Sequence, residues 1–165
     1  MSLERIYLDD SIARFKEMKG LAEKAIAQIG DEDFLRIVVD ESNSVATIVK
    51  HINGNLRSRW TDFLTTDGEK PDRNRDSEFE SESADTRDNL MKRWDASWKI
   101  LFDTLNSLKE SDLTKVVTIR GQDHKVVEAI NRQLTHYGYH VGQIVFLAKF
   151  FASSNWQTLS IPRRH

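Results

Sequence analysis

Gln133-Leu134-Thr135-His136-Tyr137-Gly138-Tyr139-His140-Val141-Gly142-Gln143 is the stretch whose reading decides the fold. Its apolar residues recur at helical intervals, and its two histidines stand four residues apart. On a helix such a pair projects from one face, one turn apart, and can converge on a single metal ion. With His136 set at 0° and about 100° per residue, His140 falls near 40°, and Gln133 and Gln143 fall close by. Ile130, Leu134, Val141, Ile144, Val145 and Ala148 fill the adjoining apolar arc. The histidines therefore border the inward face, where imidazoles need hydrogen-bond partners or a metal.

Working outward, this helix is expected from about Val127 to Phe151, and three more precede it. The first runs from Leu3 to Ile29, with Leu8, Ile12, Phe15, Ala22, Ile26 and Ile29 as its stripe. Ser2 can cap it and Gly30 can stop it. Asp31 to Asn43 reads as a connection, with Phe34, Leu35, Ile37, Val38 and Val39 tucked inward. The second helix fits Ser44 to Thr66, with Val45, Ile48, Val49, Ile52, Leu56 and Phe63 inward and Asp67-Gly68 ending it. The third fits Ala84 to Leu108, where Trp94 and Trp98 read as core. Val116 to Val126 breaks the period and reads as a short hairpin turning at Gly121-Gln122.

The linker from Gly68 to Ser83 carries charges of both signs and reads as a solvated loop, although Arg73 and Arg75 could reach over a pocket. At about fifteen residues it is long for a helix hairpin and suits a crossover. Ala152 to His165 is a tail. Together these segments predict an all-α four-helix bundle with a long crossover between helices two and three. The 165 residues form one domain, 1–165, large enough to bury a core unaided.

A third histidine, His51, lies on the second helix, with Asn55 and Arg59 one and two turns further on. Three neutral imidazoles in a bundle core would leave a divalent metal with open positions for water or substrate. Asn55 and Arg59 are candidate substrate contacts, and Gln133 and Gln143 candidate supports for the ligands. His124 falls in the hairpin and is expected to be exposed. A di-iron bundle would need Glu-x-x-His pairs, and Glu128 is wrongly spaced from His136 for that. No His-Glu-x-x-His signature and no glycine-rich phosphate loop is present.

The chain has no cysteine, which excludes disulfides, thiolate zinc sites and an internal thiol nucleophile. Its net charge of -2 gives no case for nucleic acid or anionic membrane. The N-terminus lacks a signal-peptide run, and no stretch approaches the ~18 apolar residues of a membrane span. A cytoplasmic protein is expected.

With its histidines, the sequence resembles the DinB/YfiT-like metalloenzyme superfamily, in a branch of uncharacterised bacterial proteins. Two stretches carry the closer likeness. One runs from His51-Ile52-Asn53-Gly54-Asn55-Leu56-Arg57-Ser58-Arg59-Trp60 through Asp67-Gly68-Glu69-Lys70-Pro71 to Arg73-Asn74-Arg75-Asp76. The other is Ile130 to Ile144. The resemblance spans essentially the whole chain. It implies a four-helix bundle with a crossover, a divalent metal on His51, His136 and His140, and often a homodimer. It also implies, from some relatives, transfer of low-molecular-weight thiols to electrophiles.

Three function classes stay open at this level. A metal-dependent thiol S-transferase acting in detoxification or stress leads, because a chain without cysteine must take its nucleophilic sulfur from outside. A metal-dependent hydrolase needs the same ligands, and no general base is placed near them by sequence. A non-catalytic metal or small-ligand-binding stress protein is the third. All-imidazole ligation suits zinc or nickel first, with iron, copper or manganese as alternatives. Histidines with a purely structural role are the remaining reading.

Overall fold

The computed structural model describes residues 1–161. It is mostly helical, with five α-helices and a two-stranded hairpin among the described residues: α1 (Leu3–Ile26), α2 (Asp31–Leu35), α3 (Val45–Trp60), α4 (Arg87–Ser107), β1 (Val116–Ile119), β2 (Gln122–Lys125) and α5 (Val126–Ala152). Hydroxyl caps open three of them. Ser2, Ser44 and Thr86 each accept from the amide three residues on, at Arg5, Thr47 and Asn89. The α5 start is closed differently, with the Glu128 carboxylate accepting from the Lys125 amide at 2.7 Å.

The long helices pack with α3 mainly against α4 and α1 against α5, while α3 also meets α5. Each contributes one ring to a buried aromatic cluster: Phe15 from α1, Trp60 from α3, Trp98 from α4 and Tyr137 from α5. Phe15 lies 5.9 to 6.3 Å from the other three ring centroids. Edge-on contacts of this kind add to the large apolar area that such rings bury. The Trp60 indole N–H donates to the Tyr137 hydroxyl at 3.2 Å, and that hydroxyl donates to Asn55 Oδ1 at 2.9 Å. This chain links α3 to α5 just beneath His136. Trp94 and Trp98 are both fully buried, as their spacing predicts.

Several expected boundaries move. The first helix ends at Ile26, and Gly30 caps a separate short helix, α2. Only Phe34 of the following apolar run is buried; Leu35, Ile37, Val38 and Val39 are exposed. The second long helix stops at Trp60, because Thr61 is extended and Asp62 takes a positive φ of 48°. Phe63 still reaches the core from the turn beyond.

The hairpin turns one residue earlier than expected. Ile119 pairs with Gln122, so Arg120 and Gly121 form the turn, with φ of 54° and 72°. Two positive φ values in a two-residue loop match the twist of antiparallel strands and favour glycine at the second place. Asp67 holds that turn from outside: its carboxylate accepts from the amides of Arg120 at 2.9 Å and Gly121 at 2.8 Å. The Gly68 amide donates to the Thr118 carbonyl at 2.8 Å. The linker and the hairpin are thus locked together beside the histidine face. No helix among the described residues is long and apolar enough to cross a membrane.

Candidate metal centre

His51 projects from the middle of α3, and His136 and His140 from adjacent turns of α5, where the Tyr137 anchor fixes the helix against the core. One ring nitrogen from each of the three lies within 4.8 Å of the other two. His51 Nε2 and His136 Nε2 are 3.2 Å apart. His51 and His140 are buried, and His136 is half-buried at the edge of a pocket.

The outer side of His51 is occupied by Glu78, whose Oε2 lies 2.8 Å from Nδ1. With the Nδ1 proton given to that carboxylate, Nε2 presents a lone pair to the centre, the usual arrangement of a metal-ligating imidazole. Arg73 grips the same carboxylate through both oxygens, Nε to Oε1 at 2.8 Å and Nη2 to Oε2 at 2.9 Å. Burial works to raise the Glu78 pKa, yet the His51 and Arg73 hydrogen bonds hold it below its ordinary value. The approach depends on Gly54, one turn from His51. A Cβ there would lie 2.0 Å from Glu78 Oε1. Phe79 packs its ring 5.0 Å from that of His51.

On α5, His140 Nδ1 is 2.8 Å from Gln143 Oε1, which leaves Nε2 for the centre. Burial, with His140, His51 and nearby arginines adding to it, pushes the His136 pKa down to about 3. Burial also lowers His140, to about 4, against the opposing Gln143 hydrogen bond. Both rings are therefore neutral at pH 7, the form that ligates metals. His136 Nδ1 is buried without a partner. Three converging lone pairs, an ionised carboxylate behind one ring and an amide behind another fit a divalent ion. The group could hold a metal, with the pocket side left open.

That pocket has a volume of about 640 Å³, and the triad, Asn55 and Arg59 line it with Gln133. Asn55 turns its Oδ1 to Tyr137. Arg59 is 2 % exposed, with Nε and Nη1 unpartnered. Gln133 is buried, makes no hydrogen bond to the triad and leaves its Nε2 unpaired. Gln143 does contact a triad ring. His124 lies apart in β2 and is half-buried rather than exposed, with Nε2 enclosed and unpaired.

The linker is the main correction to the sequence reading. It is no solvated loop at Arg73 and Glu78, whose side chains are 5 % and 7 % exposed. Its length and the isolated Phe79 were the available signals, together with a glycine three residues after His51. Nothing local marked Glu78 among its charged neighbours.

Two comparisons bear on kinship. The sequence model of one family, described as Protein of unknown function (DUF1572), matches residues 2–165. No curated protein matches the chain.

Proposed function

The chain belongs to that family, DUF1572, and from its site we propose a metal-dependent thiol S-transferase. The reading takes the chain as one DinB/YfiT-like four-helix-bundle domain, a homodimer acting in the cytoplasm. The observation that carries it is the open histidine triad in a chain that has no cysteine of its own. A divalent ion on His51, His136 and His140, zinc or nickel foremost, would lower the pKa of an incoming thiol and orient its sulfur.

The chain's own residues do the rest. Glu78 and Arg73 fix the His51 ring, Gln143 fixes that of His140, and neither nitrogen facing the centre is diverted. Arg59 and Asn55 receive the substrate, and Gln133 has an amide N–H free to add a contact. In the transfer, a carbon–sulfur bond forms, the thiol proton passes to solvent and the leaving group departs with its bonding pair. Hydrolysis is the weaker reading, because no aspartate or glutamate among the described residues lines the pocket to serve as a free general base. Exposed Phe146 and Phe150, one turn apart on α5, support the homodimer.

The test is conjugation of low-molecular-weight thiols to a panel of electrophiles by zinc- or nickel-loaded protein. Acceleration that disappears in His51→Ala and His136→Ala supports the reading. No acceleration with either metal removes it, and turnover without added thiol replaces it with the hydrolase.

A further inference from the structure

Among the described residues, five arginines, Arg59, Arg73, Arg75, Arg120 and Arg132, line the same pocket as the triad, and no acidic residue does. That is a dense local charge in a chain whose net charge is -2. The three carboxylates paired with it, Glu69, Glu78 and Asp76, offset the five guanidiniums only in part. Glu78 is committed to Arg73 and His51. Glu69 is shared among Arg73 at 3.3 Å, Arg120 at 3.1 Å and Arg59 at a loose 3.8 Å. Arg75 has one ion pair among the described residues, a loose one to Asp76 at 3.8 Å, and lies over the Phe79 ring. Arg132 has no ion pair among the described residues.

Arg59 is the most telling member. A guanidinium 2 % exposed with two nitrogens unpartnered is costly to keep, since a buried cation needs a matching anion and filled hydrogen bonds. Gln133, buried on the same pocket wall, also has an unpaired donor, Nε2. Unpaired donors on two residues of a one-signed pocket wall suit a site built for carboxylate or phosphate oxygens. The pocket, at about 640 Å³, is of small-ligand size and half open to solvent.

We propose that this pocket binds a small dianion, a dicarboxylate or a phosphate ester, with Arg59 and Gln133 gripping its oxygens inside and Arg132 and Arg120 at its mouth. Arg73 is excluded from that role because Glu78 occupies it. The inference deepens the S-transferase reading by giving the small-molecule substrate a charge class. It rests on that reading for what happens to the ligand and not for its capture.

Calorimetric titration of the full chain at pH 8 tests it, with succinate and inorganic phosphate as probes and acetate at matched ionic strength as control. Chelator-stripped and zinc-loaded protein are compared. We expect one of the dianions to bind the stripped protein, with acetate binding at least tenfold more weakly. Arg59→Gln and Arg132→Gln should each weaken that dianion about tenfold, whereas Arg14→Gln, on the far exposed face of α1, should not. Arg132 is exposed, so its variant tests the proposal even if the Arg59 variant does not fold. Which probe binds distinguishes carboxylate from phosphate. Absence of dianion binding in both forms would overturn the proposal, as would binding confined to the zinc form that survives both substitutions. A chain that takes up no zinc yet binds the dianion would sink the metal reading alone, and a zinc-binding chain blind to both probes would sink this one alone.

Discussion

Glu78 is the residue on which the geometry of the triad leans most, since it sets the tautomer and orientation of His51. Replacing an outer carboxylate of this kind lowers metal affinity about 10–100-fold in characterised sites. Glu78→Gln should do the same in a chelator competition assay, while leaving the helical content intact. An unchanged affinity would show that His51 needs no such support. Gly54→Ala should act in the same direction, because the added methyl displaces Glu78 from the face of α3. Tyr137→Phe addresses the anchor under His136. It would leave the buried Trp60 N–H without its acceptor and Asn55 Oδ1 without its donor, costing about 1–3 kcal/mol in urea unfolding. At this scale His136 and His140 were legible from spacing, since i, i+4 placement and an adjoining apolar arc are local properties. His51 joined them through its place beside the inward face of another helix and through the family resemblance. Their supports were legible only in part. Gln143 lies one turn from His140 and could be picked out, whereas Glu78 is 27 residues from His51 and meets it only through tertiary packing.

Elements show the same division. Helical periodicity located all four long helices, and the Ser2 cap gave the first start, whereas the third begins at Arg87 behind Thr86 rather than at Ala84. Ends were harder, because Phe63 continues the apolar stripe past the point where Asp62 turns the backbone. The hairpin was recognisable, but its turn depends on Asp67, more than fifty residues away in sequence. Three backbone amides, at Glu69, Arg120 and Gly121, hold the Asp67 carboxylate below its ordinary pKa against the opposing effect of burial. Its stabilisation is therefore complete above the unfolded carboxylate pKa of about 3.9 and is lost as pH falls through the lower folded value. Asp67→Asn should cost about 1–2 kcal/mol at pH 7, and the gap to the unmodified chain should close at strongly acidic pH. A gap that stays constant across that range would mean the lock does not depend on the charge.

For the whole molecule, the aromatic cluster joins the four long helices, and the pocket opens beside it. Trp98 touches Phe15, Trp94, Phe102 and Tyr137. Trp98→Ala should cost about 3–5 kcal/mol of stability by denaturant unfolding; a loss under about 1 kcal/mol would place the core elsewhere. Composition pointed away from anionic partners through the net charge of -2, and the fold reverses that locally by gathering five arginines at one pocket. Long-range assembly of charge from α3, the linker, the hairpin and α5 leaves no mark in any single segment. Metal on His51, His136 and His140 is what the proposed chemistry needs first. Elemental analysis of chelator-free, untagged protein beside His51→Ala, His136→Ala and His124→Ala measures it directly. About one divalent ion per chain is expected, lost in the first two variants and kept in the third. No metal after reconstitution, or metal retained by both triad variants, would contradict it.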